Sequence, residues 1–144
     1  MMKKIFSLAL LLAFCTPAFA VDKVAIIDVQ KVVNKSAQVQ ALKKEQEAKS
    51  KELKQFVKKA NDEVKAQTDE KKKQDLVKKY EKELAAKREA NSKAYKTKLE
   101  AIDKTITATI NNYAKTNGYD LVLVKGAVLY GGEDITEAVS KVVK

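Results

Sequence analysis

The chain has 144 residues, a formal net charge of +10, no histidine and a single cysteine. With no histidine, the commonest metal-ligand sets and the usual histidine-assisted nucleophile pairs are excluded. A third of the residues are charged, which points to an extended solvated surface rather than one large core.

The first twenty residues carry a secretory leader pattern. Lys3 and Lys4 form a positive segment, Ile5 to Cys15 is apolar apart from Ser7, and Ala18-Phe19-Ala20 offers small residues at the two positions a signal peptidase reads. The apolar run is shorter than the roughly 20 residues that span a bilayer. Leu12-Ala13-Phe14-Cys15 ends in cysteine and leaves a lipoprotein alternative, against which stand the bulky Phe14 and the Ala-Phe-Ala site just downstream. Cleavage is expected after Ala20. The exported chain then starts at Val21, has 124 residues (144 less the leader's 20), and loses its only cysteine and proline. Loss of Lys3 and Lys4 leaves a charge of +8. No disulfide is expected, and the predicted location is the periplasm.

Next comes Lys23-Val-Ala-Ile-Ile-Asp-Val29, a short β-branched run predicted to be a buried strand. Residues 21 to 117 then contain neither glycine nor proline. This stretch is filled with Lys, Glu, Ala, Gln and Leu, the composition of a coiled coil or a very long helix. Leu53, Phe56, Ala60 and Val64 recur at three- and four-residue steps, as do Tyr95, Leu99, Ile102, Ile106, Thr109 and Tyr113. Val77, Tyr80 and Leu84 continue the rhythm, which Lys87, Arg88 and Asn91 interrupt. So narrow an apolar stripe is a seam for another helix. The spacing predicts two antiparallel helices over 37–67 and 69–116, turning near Gln67-Thr68-Asp69, with Thr68 as cap and Asp69 and Glu70 in the positive first turn. One unbroken helix is the competing picture.

Gly118 is expected to stop the second helix. Leu121-Val-Leu-Val124 and Ala127-Val-Leu-Tyr130 are predicted strands, joined as a hairpin through Lys125-Gly126 with glycine supplying a positive φ, and Gly131-Gly132 ends the hairpin. Asp134-Ile-Thr-Glu137 resembles a capping box that opens a last helix. Ile135, Ala138, Val139 and Val142 give that helix its apolar face, and Lys141 and Lys144 suit its negative end.

The predicted fold class is therefore α+β: a long antiparallel helical hairpin, or coiled-coil arm, on a small β-strand body. The division is 1–20 leader, 21–36 with 117–144 body, and 37–116 arm. The body has only about 45 residues, near the size below which a domain rarely buries enough surface alone. Oligomerisation through the body is the simplest remedy, and it also covers strand edges. Val24, Ile26, Leu121, Leu123, Val128 and Tyr130 are expected to build the body's core and its oligomer contacts.

In its opening Asp22-Lys-Val-Ala-Ile-Ile-Asp-Val-Gln-Lys-Val32, its glycine-free middle, and its ending, the chain resembles the Skp/OmpH family of periplasmic chaperones. The ending comprises Tyr119-Asp-Leu-Val-Leu-Val124, Ala127-Val-Leu-Tyr130 and Asp134-Ile-Thr-Glu-Ala-Val-Ser-Lys-Val-Val-Lys144. The resemblance covers essentially the whole exported chain. It implies a homotrimer whose arms surround a cavity, and an ATP-independent holdase for unfolded outer-membrane proteins. Some members are linked to lipopolysaccharide through basic residues, a site that cannot be placed residue by residue here.

No catalytic constellation emerges, and neither enzyme activity nor a cofactor is expected. Ser36, Ser50, Ser92 and Ser140 have no apparent activating partner, and no glycine-rich phosphate loop precedes Gly118. Within Lys43–Lys104, 20 Lys/Arg stand against 13 Asp/Glu, a surplus of +7. That surplus is either a solvated coiled-coil surface, with pairs such as Glu45 and Lys49, or an attractor for acidic unfolded chains and anionic lipid. Nucleic acid is not an expected partner of an exported chain. Near the expected arm tip, Phe56, Val57, Val64, Leu76, Val77 and Tyr80 either pack the two helices together or offer weak apolar contact to a client, with Lys58, Lys59 and Lys65 beside them. Many shallow contacts would suit promiscuous capture. Two rival functions are an envelope coiled-coil scaffold and a lipopolysaccharide- or anionic-lipid-binding protein.

Overall fold

The computed structural model describes residues 21–143. The leader with its expected cleavage after Ala20, and Lys144, lie outside the described residues. Strand β1 (Val24–Ile27) leads at once into helix α1 (Val29–Lys35). Asp28 caps α1, its side chain accepting from the Lys31 N–H at 3.0 Å. The residues alone predict a strand through Val29, and a helix start within Asp22–Val32 comes only from the family resemblance; Val29 is the first residue of the helix, not the end of the strand. The periodicity that marks Val29, Val32 and Val33 as helical is only two turns long.

Helices α2 (Ala37–Ala66) and α3 (Glu70–Thr116) follow, so the chain does break at Gln67–Asp69 and the single-helix alternative falls. The cap of α3 is Asp69, not Thr68: its carboxylate accepts from the Lys72 N–H at 3.0 Å. A carboxylate at this position satisfies an orphan donor and meets the positive helix end at the same time. At its far end α3 closes with a Schellman arrangement. The Gly118 N–H donates to Lys115 and the Tyr119 N–H to Ala114, with Gly118 at φ 71°.

The C-terminal region corrects the predicted hairpin. Strand β2 (Leu121–Val124) ends in a 3-10 turn (Lys125–Ala127), Val128–Tyr130 is not a strand in this chain, and the third strand is β3 (Glu133–Asp134). All pairings are parallel, in the order β2-β1-β3, with Val24 opposite Leu121 and Ala25 opposite Glu133. A two-residue turn can only join antiparallel neighbours. Because β1 occupies the place beside β2, the chain must instead cross β1 to reach its other edge. Gly126 accordingly has no positive φ; Gly131 and Gly132 supply it, at 88° and 87°. The last helix, α4 (Thr136–Val142), starts one residue later than the expected capping box allows, with Ile135 rather than Asp134 at the cap position. Asp134 stays in β3, where its carboxylate accepts from the Thr136 N–H and from Lys125. The Lys125 ammonium, then Thr136, hold it well below the usual carboxylate range.

The crossing is tight. A Cβ on Gly132 would lie 2.7 Å from the Ile26 Cγ2, at a φ that side chains rarely adopt. Gly132→Ala is expected to lower stability by about 1–3 kcal/mol, whereas Gly126→Ala, with nothing within 4 Å, should be neutral. Thermal unfolding of the two variants distinguishes these outcomes.

The core sits on one face of the sheet. Ala25 and Ile27 point into it and meet Val32 of α1, Leu42 of α2, Ile102 and Ile106 of α3, and Ile135, Val139 and Val143 around α4. This corrects the expected core. Val24 and Ile26 are only half-buried, Leu121, Leu123 and Tyr130 are exposed, and Val128 is half-buried. In β1 the alternation of side chains is decisive: the helices lie on the side of Ala25 and Ile27. An all-apolar strand carries no pattern that says which face they will take.

An ion-pair clasp fastens the two short helices. Lys31 and Lys35 of α1 both reach Glu137 of α4, at 2.7 and 2.6 Å. Bonds to Lys31, then to Lys35, lower the Glu137 carboxyl to about 2, and the bond to Glu137 raises Lys31. A depressed carboxylate contributes stability above its unfolded value, here 4.5, and loses that contribution as pH falls through the folded value. The raised lysine keeps its part below its ordinary value for as long as Glu137 stays ionised. The protection of the α4 amides, taken against the intrinsic exchange rate at each pH, should therefore fall as pH drops from about 4.5 towards 2, and Glu137→Gln should flatten that dependence.

Candidate functional site

Three surfaces remain open around this frame. The first is the outer face of the sheet. Leu121 is 41% and Leu123 37% exposed, and Val24 and Ile26 share their face by the register. Leu129 and Tyr130 in the crossing loop are fully exposed. Contiguous apolar surface of this kind on a small body marks an interaction site. The edge is anchored by Asp120, whose carboxylate accepts from the backbone N–H groups of Asp22 and Lys23 at 3.1 and 3.0 Å. Beside it, Lys23 stacks over the Tyr119 ring at 4.2 Å. Burial, then a bond to Glu133, pushes the Tyr119 hydroxyl up to about 12.

The second is the arm tip. Phe56 and Tyr80 meet edge-to-face with ring centres 5.7 Å apart, and Lys87 lies over Phe56 at 5.2 Å. Together with Val57, Val64 and Val77 they line a cleft of about 200 Å³. Phe56, Val57, Val64, Leu76 and Tyr80 are half-buried and Val77 is exposed. Tyr80 bonds to Glu63, which is the main cause that pushes its hydroxyl up to about 12. The side chains therefore join the two helices and still leave part of each surface in water. Lys58 and Lys65 are exposed, and Lys59 stands 3.8 Å from Glu63. Further along the arm, Glu45 pairs across the helices with Lys98 at 2.6 Å rather than with Lys49, which turns to Glu52.

The third surface was missed by the sequence reading. Where the arm joins the body, Val33, Val39, Leu42, Tyr95, Leu99, Ile102 and Ile106 line an open groove of about 750 Å³. The α3 stripe was read as a seam, yet Tyr95 is 39% and Leu99 46% exposed. The signal was present in the other helix. Residues 43–52 of α2 are charged or polar apart from Ala48, so the stripe has no apolar partner to close against.

Among the described residues, no group of three His, Cys, Asp or Glu could hold a metal ion, and no helix is long and apolar enough to cross a membrane. A search of curated proteins gives no match. The sequence model of the OmpH-like outer membrane protein family, in contrast, matches residues 23–143. That family is one of periplasmic chaperones of outer-membrane proteins, not of enzymes. Its match runs from β1 through both long helices to the end of α4, and by that extent the chain belongs to the OmpH-like family.

Proposed function

We propose that this chain is an ATP-independent periplasmic holdase that binds unfolded outer-membrane proteins and prevents their aggregation, acting as a homotrimer. In this reading the leader is removed after Ala20, residues 21–36 and 117–144 form the trimerisation body, and residues 37–116 form the client-holding arm. The observation that carries the proposal is the arm itself. It is a helix pair roughly 45 Å long, at 1.5 Å per residue, whose apolar stripe is left partly open along its length. Shallow, half-exposed contacts flanked by lysines hold many sequences weakly and none exclusively.

Phe56, Val57, Val64, Leu76, Val77 and Tyr80, with Lys58, Lys59 and Lys65, are the proposed client contacts at the tip. Val24, Ile26, Leu121, Leu123, Val128 and Tyr130 are the proposed contacts between copies. Leu121, Leu123 and Tyr130 are exposed and Val24, Ile26 and Val128 half-buried in the single chain, which leaves this apolar surface for a second copy to cover. Release follows when another binder holds the client more tightly.

The test is dilution of a urea-unfolded outer-membrane barrel protein into buffer containing the purified protein, followed by light scattering. Suppressed scattering supports the holdase. Unchanged scattering with a folded helical protein supports a scaffold that docks one folded partner. Binding to anionic vesicles without suppression supports the lipid-binding alternative.

A further inference from the structure

The groove at the base of the arm has a charge of its own. Its lining includes Glu47, Glu100 and Asp103 against Lys43 alone. This acidic excess sits on a chain whose overall charge is strongly positive. The opposite side of the same helix pair is neutralised, because Glu45 there is tied to Lys98 at 2.6 Å. The groove wall is apolar, and its two most open members, Tyr95 and Leu99, stand on one side of α3 a single helical turn apart. An apolar trough with an acidic margin complements an apolar segment flanked by cations.

We infer that this groove binds apolar stretches of unfolded clients that are bordered by lysine or arginine, so the arm has two zones of opposite preference. The basic tip draws acidic stretches, and the groove takes the basic-flanked apolar ones. An unfolded chain that alternates the two kinds is then held at two points, and the tether between them raises the effective concentration of the second contact. The inference rests on the holdase reading for the identity of the client, but its charge rule belongs to the groove alone.

Two labelled peptides test it. They share one apolar core, and one carries lysine flanks while the other carries glutamate flanks. Binding to the purified protein is followed by fluorescence anisotropy. The lysine-flanked peptide should bind about fivefold to tenfold more tightly, the size expected of two or three exposed charge pairs, and the difference should shrink with added salt. Replacing the rim acids together (Glu47→Lys, Glu100→Lys, Asp103→Lys) should reverse the order. Tyr95→Ser with Leu99→Ser should weaken the lysine-flanked peptide by at least about tenfold, since two apolar contacts are lost, and should leave the glutamate-flanked peptide, which the tip draws, nearly unchanged. Tyr95 is 39% and Leu99 46% exposed and neither belongs to the buried cluster, so helicity measured by circular dichroism should be nearly unchanged.

Equal binding of the two peptides, or tighter binding of the glutamate-flanked one, overturns the inference. A fall in the oligomer mass of the Tyr95/Leu99 variant also overturns it, because the groove would then be a contact between copies. Aggregation assays on the unaltered protein are read separately. If that protein fails to suppress aggregation, the holdase reading falls, and the peptide order still decides the groove.

Discussion

Replacing Leu123 with aspartate is expected to dissociate the proposed trimer while leaving the long helices formed. Leu123 is 37% exposed in the single chain and pairs with Ile26 of β1. On this open face an aspartate meets water in the isolated chain, so the local cost is small. In the proposed trimer the same carboxylate would be desolvated in every copy. Each copy then contributes a penalty of at least about 3 kcal/mol. Sedimentation should find single chains at micromolar concentration, with the helical circular dichroism of α2 and α3 retained. A trimer that survives would remove Leu123 from the interface and with it the proposed role of the sheet's outer face.

The opposite face gives the second large effect. Val139→Asp is expected to unfold the body. Val139 has no exposed surface and lies in the cluster with Ile27, Val32 and Ile135. Losing a buried valine costs about 1.5–3 kcal/mol, and the unpaired charge adds several more. A small domain is stable by only about 5–15 kcal/mol in total. The cooperative thermal transition should therefore be lost or moved below physiological temperature. Val142, on the same helix but 51% exposed, is the control: Val142→Asp should leave the transition almost in place as far as the single chain is concerned. A Val139→Asp protein that melts like the unaltered one would refute the core described above.

These two substitutions mark how far the sequence was legible. The helical state of the arm was readable almost to the residue, because a glycine-free, proline-free run of good helix formers with a three-four apolar rhythm favours helix throughout. Its turn at Gln67-Thr68-Asp69 was the less legible part: one unbroken helix remained an alternative, and the cap is Asp69 rather than Thr68. Gly118 was readable because a helix end needs a residue that tolerates positive φ.

The sheet was a different problem. Leu121–Val124 and Val24–Ile27 are apolar at every position, so period-two reasoning finds strands but cannot choose their buried face. Ala25, the smallest side chain in β1, is the one with no exposed surface. The hairpin expected at Lys125-Gly126 failed because local turn chemistry knows nothing of β1, which takes the place beside β2 and forces the chain across. The candidate site divided in the same way. Tip residues were visible as an apolar stripe with lysines. The neck groove depends on what α2 fails to offer between residues 43 and 52, a relation between two helices rather than a pattern in one.

The most direct test of the account is the mass of the protein alone and of its complex with an unfolded outer-membrane protein, measured by native mass spectrometry in one preparation. The account predicts three copies alone and three copies around one client, with the client still unfolded by its amide exchange. Single chains that bind no unfolded client, or a stable complex formed only with an already folded partner, would contradict it.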